Sequence, residues 1–466
     1  MRPGARGATV GVVPTHSMQP ADAAWLHMDR PTNLMIVNSL LWFDEPVDWS
    51  RCRSVFLERV VEPFDRFRQR AVEGPPLAGP RWEDDPSFDP ELHFHHVALP
   101  APHDRRALQE LVSDRLAMPL DRDRPLWEVY FVDAFGEGAA VLVRIHHSVA
   151  DGIALARVML TLTDGDAGTG EPGISSAGDA DSRLSLLGPV APLVQAAQSV
   201  AREGLRTVLH PGRAGHLAGS ALDDAQTLAK LLLPWSDPRS PIKGPLQRAH
   251  RVAWSDPVDL WRVKRAAHVF DATVNDVVVA AVAGAIGRHL RERGDKLDEV
   301  HALVPFNLRP LDEPLPRELG NRFGLVLVAL PVGTAEPGER LTEVKQAMDA
   351  IKRGHEGPIA YGILGLIGRT PPLLERPLID YFSAKGSMVL TNVPGPQHPL
   401  SLAGTPLGGV LVWAPCSGSV GMSVSVFSYD RKVSIGFLVD AGLVPEPQTL
   451  ADGFRAEVLA LARAGA

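Results

Sequence analysis

Apolar and polar residues alternate along "WEVYFVDAFGEGAAVLVRIHH" from Trp127, in two runs rich in valine and aromatic residues that part at Gly136 to Gly138. A period of two, interrupted by glycine, predicts a β-hairpin. "MIVNSLLWF" from Met35 has the same β-branched and aromatic character and predicts another strand. In "DRRALQELVSDRLAMPL" from Asp104 and "IALARVMLTLTDG" after Gly152 the apolar residues instead recur every three or four positions, as on an amphipathic helix. "RVAWSD" near Arg251 restarts the strand pattern. "DATVNDVVVAAVAGAIGRHLRERG" then reads as a long helix, with Thr273 at its N-cap, Asp276 three residues later and Gly294 at its end. Further short apolar runs follow, from "HALVPFNLR" to "KVSIGFLVD". Strands interleaved with helices in both halves predict an α/β chain of two similar-sized domains, 1–165 and 251–466, joined by 166–250.

The joining part begins with a small, polar stretch, 164–182, of the kind that forms an exposed linker. It holds Gly168, Gly170 and Gly173 in GxGxxG spacing, but it follows a helix, includes Pro172 and opens no helix of its own. A dinucleotide site needs the strand and helix that are missing here. From Leu193, "LVQAAQSVAREGLRTVL" and then "LDDAQTLAKLLL" read as amphipathic helices with arginine or lysine on their polar sides. Such helices pack on the body of a protein or dock on a lipid surface.

Composition narrows the possibilities. The 466 residues exceed what one core of about 250–300 residues accommodates, and 45% apolar with 22% charged residues is ordinary for a folded soluble enzyme. A net charge of -8 argues against nucleic acid as a partner, since phosphate binding needs a basic face. The only cysteines, Cys52 and Cys416, stand far apart, so neither a disulfide framework nor a thiolate metal site is expected, and a reducing, cytoplasmic setting fits. The N-terminal stretch lacks a signal-peptide apolar run, and no segment has the roughly 18 apolar residues of a membrane span, so any membrane contact is expected to be peripheral.

Candidate chemistry concentrates in "RIHHSVADGIAL" from Arg144. On a regular strand, His147 would share a face with Val143 and Ile145 while His146 shared the other with Leu142 and Arg144. Adjacent histidines then make poor ligands for one metal, and the chain has neither HExxH nor a cysteine cluster, so no metal is expected. The plain alternative makes both histidines satisfied polar residues at a strand end and Asp151 the cap of the next helix. GxSxG and the dipeptide GK are both absent, which removes a serine nucleophile elbow and a Walker-type phosphate loop. The chemical use that remains for a histidine is as general base toward a substrate hydroxyl or amine.

HHxxxDG, from His146 to Gly152, resembles the signature of the coenzyme A-dependent acyltransferase superfamily. "PADAAWLHMDRPTNLMIV" from Pro20, "PLWEVYFV" from Pro125, "ND" at Asn275, "LRP" at Leu308, "LGNRFG" at Leu319 and "TNVPGP" at Thr391 occur in the order of the bacterial wax ester synthase/diacylglycerol acyltransferases. This resemblance spans nearly the whole chain. It implies a two-domain fold of chloramphenicol acetyltransferase type, with mixed sheets flanked by helices and a tunnel between the domains that holds the histidine motif.

The implied activity is O-acylation by acyl-coenzyme A, a co-substrate, of diacylglycerol or a long-chain alcohol, giving triacylglycerol or wax ester without metal or redox cofactor. His147 would take the acceptor's proton, beside His146 and Asp151. Asp151 would pair with an arginine, Arg144 or Arg309. Gly152 would keep a side chain out of a close approach, and Asn275 would orient substrate or meet the oxyanion, unless it is a plain first-turn residue. Trp127 would line the tunnel and Asn392 would serve a turn or the crossover between domains. Thr391 replaces a more usual serine, and "NLRP" also departs from the family pattern, which leaves acceptor preference open. Attachment to the inner membrane or a lipid droplet would follow from apolar substrates. Two other readings remain: acylation of a carrier-bound polyketide or peptide intermediate, and a non-catalytic lipid-binding protein of the same fold.

Overall fold

The runs on either side of Gly136 pair as a hairpin, strands Trp127–Phe135 and Gly138–His146, in a computed structural model that describes residues 15–75, 79–164, 235–307, 313–353 and 372–464. Gly136 supplies the left-handed turn (φ 57°), and a Cβ on Gly138 would lie 2.0 Å from the Phe43 carbonyl oxygen, so this corner requires glycine. The Gly138–His146 strand also pairs antiparallel with Ile36–Phe43. A five-stranded sheet results, in the order Gly409–Trp413, Ile36–Phe43, Gly138–His146, Trp127–Phe135, Phe94–Ala98, its last pair parallel.

One member of that sheet comes from far down the chain. Gly409–Trp413 leaves the C-terminal part to pair with Ile36–Phe43. It thereby covers the exposed hydrogen-bonding edge of an almost wholly buried apolar strand. The C-terminal part builds a second, mixed sheet in the order Phe323–Leu330, Val300–Asn307, Met388–Pro394, Met422–Tyr429, Lys432–Asp440, His250–Trp254, with Val258–Asp259 also on the Lys432–Asp440 strand. Its three central strands run parallel, and the helices Pro337–Arg353 and Pro372–Ser383 lie between the first two of them in sequence.

Helix Val274–Glu292 starts where its sequence directs: the Thr273 side chain accepts from the Asp276 N–H while Asp276 accepts from the Thr273 N–H, a capping box worth about 1 kcal/mol. Val277 to Gly287 are buried without a break, so this helix is the centre of the C-terminal core, and no single helix among the described residues is long and apolar enough to cross a membrane. A further apolar cluster draws on both sheets, with Leu40, Leu142 and Leu411 from the first against Val252, Leu303 and Leu438 from the second. The motif GxGxxG and the amphipathic stretch 193–233 lie outside the described residues.

Candidate active site

The strand that carries the histidines ends at His146, and the chain turns through residues 147–149 before helix Gly152–Thr161. The His147 N–H still donates in register to the Met35 carbonyl at 2.7 Å, but the His146 carbonyl receives the Val149 N–H at 3.0 Å, a turn that ends the regular alternation expected through His147 one residue early. Both rings are buried. His146 faces its own loop: Nδ1 meets Ser148 Oγ at 2.8 Å, and Nε2 lies 3.8 Å from the Asp29 carboxylate. Burial pushes the Asp29 carboxyl up, but the hydrogen bond and charge of His146, with the Met35 N–H and Arg122, hold it below its ordinary value.

Helix Pro20–Met28 packs against the His147 ring. Trp25 stacks on the imidazole with ring centres 4.1 Å apart, and Phe323 approaches at 5.5 Å from the start of the Phe323–Leu330 strand. Nδ1 of His147 lies 2.9 Å from Asn321 Oδ1. Nε2 has no hydrogen bond to any described residue, and burial lowers the ring's pKa from 6.5 to about 4 against the opposing bond from Asn321. The ring is thus neutral at physiological pH.

Asn321 belongs to a short loop that lies along the histidine loop from end to end. Gly320 N–H donates to the Val149 carbonyl at 3.1 Å, Asn321 Nδ2 to the His147 carbonyl at 2.8 Å, and Arg322 N–H to Asp151 Oδ2 at 2.9 Å. Leu319 and Gly320 both take left-handed backbone (φ 51° and 95°), which aims these successive groups at the motif. At the foot of the assembly Asp22, 1% exposed, accepts from both the backbone N–H and the Nδ2 of Asn321 at 3.0 and 2.8 Å. Burial raises its pKa to about 6, and the Asn321 donors and the charge of Arg66 oppose that rise.

The other oxygen of Asp151 caps helix Gly152–Thr161 through the Ala154 N–H at 2.8 Å, so among the described residues its acceptors meet two backbone N–H groups. Arg144 is held elsewhere, by Glu128 at 2.8 Å and the Met118 carbonyl, and Arg309 lies outside the described residues. Trp127 sits in the N-terminal core, 1% exposed, stacked on His93 and Phe56 with its N–H on the Phe67 carbonyl.

Asn275 and Asn392 come together although 117 residues separate them, Nδ2 of Asn392 donating to Oδ1 of Asn275 at 3.0 Å. They are half-buried, and their pairing ties the first turn of helix Val274–Glu292 to the Met388–Pro394 strand. Thr391 beside them is buried on Ser425 at 2.8 Å. No described atom lies within 4 Å of where a Cβ on Gly152 would stand. Neither histidine lines the cavity walled by Asn33, Ile36 and Cys416 or the one walled by Phe43, Asp104 and Arg105. Among those residues no three of His, Cys, Asp or Glu converge as a metal site, and both cysteines are buried free thiols.

The partners of His147 were not singled out by spacing. Asp22 left one trace, an acid amid the buried Ala21, Ala23, Ala24 and Leu26 of an otherwise apolar helix. Trp25 follows it by one helical turn, and Asn321 left only its place in "LGNRFG".

The description of the wax ester synthase/diacylglycerol acyltransferase catalytic domain matches residues 18–278, and that of the corresponding C-terminal domain matches 319–461. A chain of Mycobacterium tuberculosis named as a probable diacylglycerol O-acyltransferase is 30% identical over 93% of this chain and 92% of its own. In fold, the chain is similar to the wax ester synthase/diacylglycerol acyltransferase of Marinobacter aquaeolei (TM-score 0.68, 23% identity, 96% of this chain and 99% of that one). It also resembles the first condensation domain of the calcium-dependent antibiotic synthetase (TM-score 0.60, 17% identity, 97% and 96%). With a two-domain mixed α/β fold and both family domains present in order, this chain is an acyltransferase and belongs to the wax ester synthase/diacylglycerol acyltransferase family.

Proposed function

We propose that the chain transfers an acyl group from acyl-coenzyme A to the hydroxyl of a diacylglycerol or long-chain alcohol, with His147 as the general base. The observation that carries this reading is the wiring of one ring. Nδ1 is held by an amide oxygen, Nε2 is left without a described partner, and burial keeps the imidazole neutral. A neutral ring with one lone pair to offer is the form a base requires.

In the reaction, Nε2 accepts the hydroxyl proton as the alcohol oxygen attacks the thioester carbonyl. The carbon–sulfur bond then breaks, and the proton passes from the imidazolium to the departing thiolate, leaving free coenzyme A and an ester. A ring with a pKa near 4 is a weak base, so proton removal and attack belong to one step rather than to a prior deprotonation. No metal or redox group enters the scheme. His146 and Asp151 shape the loop in this reading: the first fastens it through Ser148, the second fixes the helix that follows. The Asn275–Asn392 pair joins two elements of the C-terminal half.

Thiol release from long-chain acyl-coenzyme A, with diacylglycerol, monoacylglycerol and long-chain alcohol compared as acceptors, tests the reading. Release that depends on an acceptor is expected, and the ranking assigns triacylglycerol or wax ester synthesis. Turnover confined to carrier-bound acyl groups, or none with any donor, overturns it.

Apolar substrates also favour peripheral attachment to an anionic membrane or lipid-droplet surface. What supports this among the described residues is helix Leu260–Val269, where Trp261 and Val269 are 54% and 46% exposed beside Arg262, Lys264 and Arg265 in a chain of net charge -8. Flotation with anionic vesicles is expected to fall for Trp261→Ala combined with Lys264→Glu; recovery equal to the parent's removes this helix from the assignment.

A further inference from the structure

His147 is oriented by an amide, and an amide can be turned around: its oxygen and nitrogen exchange places on a half-rotation, with opposite consequences for the ring. In this protein the turn is blocked. Asn321 Nδ2 faces two acceptors, Asp22 Oδ1 at 2.8 Å and the His147 carbonyl at 2.8 Å, while the Asn321 backbone N–H donates to the same Asp22 oxygen at 3.0 Å. With the nitrogen held there, only Oδ1 is left to meet His147 Nδ1. A carbonyl oxygen accepts and never donates, so Nδ1 must carry the ring's proton and Nε2 its lone pair.

We propose that Asp22 is a positioning residue for acyl transfer, fixing the amide of Asn321 and through it the tautomer of His147. The inference rests on the reading of His147 Nε2 as the base. A carboxylate 1% exposed on an apolar helix is costly to bury, so its partners account for its presence. It does not cap its own helix: the N-cap there is Gln19, which makes no side-chain cap bond. One turn further along the same helix, Trp25 stacks on the imidazole, so a single rigid element both holds the ring's plane and, through Asn321, decides which nitrogen is free. The simpler alternative makes Asp22 only a tie between that helix and the 319–322 loop. A tie would alter stability and leave the ring's proton where it is.

Asp22→Asn separates the two. It keeps the volume but offers either an oxygen or an amide N–H toward Asn321, so the Asn321 amide is free to turn and donate to Nδ1, which favours the ring tautomer with its proton on Nε2. Thiol-release kinetics are expected to show kcat lower by about tenfold or more with KM within about twofold. Nitrogen-15 spectra of histidine-labelled full-length protein, with the His147 signal assigned by its loss in His147→Ala, should show the proton moving from Nδ1 toward Nε2. Asp22→Ala is the second variant, with the same expectation. Parental kcat, or a parental tautomer, in a folded Asp22 variant overturns the proposal. So does an Nε2–H ring in the unaltered protein, which decides the matter however the variants fold. Full activity in His147→Ala would instead defeat the base assignment, a failure distinguishable from that of Asp22.

Discussion

Two histidine clusters in this protein each hold an aspartate and differ in how they are wired. On the internal strand Val300–Asn307 of the second sheet, half-buried His301 places Nδ1 2.8 Å from Asp237 Oδ1, and Ser387 Oγ lies 2.6 Å from Asp237 Oδ2. Serine, histidine and aspartate are thus together, yet the hydroxyl donates to the carboxylate and not to the ring. The remaining ring nitrogen faces Glu299 at 3.4 Å, so acids flank both sides of the imidazole. The His301 backbone N–H also donates to Asp237, and the cluster fastens the segment around residue 237 to two strands. At His147 the partner is a neutral amide, the carboxylate stands one residue further back, and the second nitrogen is left open. A histidine becomes available as a base through a fixed tautomer and an unoccupied nitrogen, not through the nearness of an acid.

The largest effect that would sharpen this contrast is at His147 itself. His147→Ala should lower kcat for thiol release by about 10²–10⁴ while the melting curve shows a folded protein; a variant as active as its parent would put the two clusters on the same footing. Next in size is the response to acid. A ring with a pKa of 6.5 unfolded and about 4 folded is refused its proton by the native state, so the unfolded chain binds more protons between those values and stability falls as pH drops through that window. The loss from His147 alone is about 3 kcal/mol.

Asp22 works in the opposite sense: its carboxyl, raised from 3.8 to about 6, is protonated first in the folded state and gains stability as pH falls through that range. Asp22→Asn should therefore steepen the acid loss, measured by denaturant melts at pH 7 and pH 4.5. With the neutral ring as the proposed base, its own titration should limit kcat only as the pH nears 4, whereas protonation of Asp22 near 6 gives that carboxyl a donor and should produce an earlier limb that is absent from Asp22→Asn. The smallest change in rate is expected at the other cluster. Asp237→Ala should cost about 1–3 kcal/mol of stability by leaving the Ser387 hydroxyl and His301 N–H groups unmatched, with kcat within about twofold of the parent.

How much of this was legible beforehand follows from the range of each interaction. The hairpin at Gly136, the capping box at Thr273 and the helix after Asp151 were legible because each depends on residues a few positions apart. Asp151 as a helix cap was open to view for the same reason, whereas its second partner, the Arg322 N–H, lies 171 residues away, beyond the reach of any local pattern. Trp127 reads the same whether it lines a core or a channel, since an apolar strand position records burial but not what lies opposite.

By itself the sequence determined the α/β character, the two halves, the place of the histidine motif and the family, because periodicity, capping residues and motif order are properties of the chain read locally. Only the tertiary structure decided that Gly409–Trp413 completes the first sheet and that His147 is gripped by Trp25 and Asn321. It also brought Asp22 beneath Asn321 from 299 residues away. Hydrogen bonds and ring contacts depend on position in space to a few tenths of an ångström, and residues so far apart in the chain reach one another only after both sheets and the loop between them have folded.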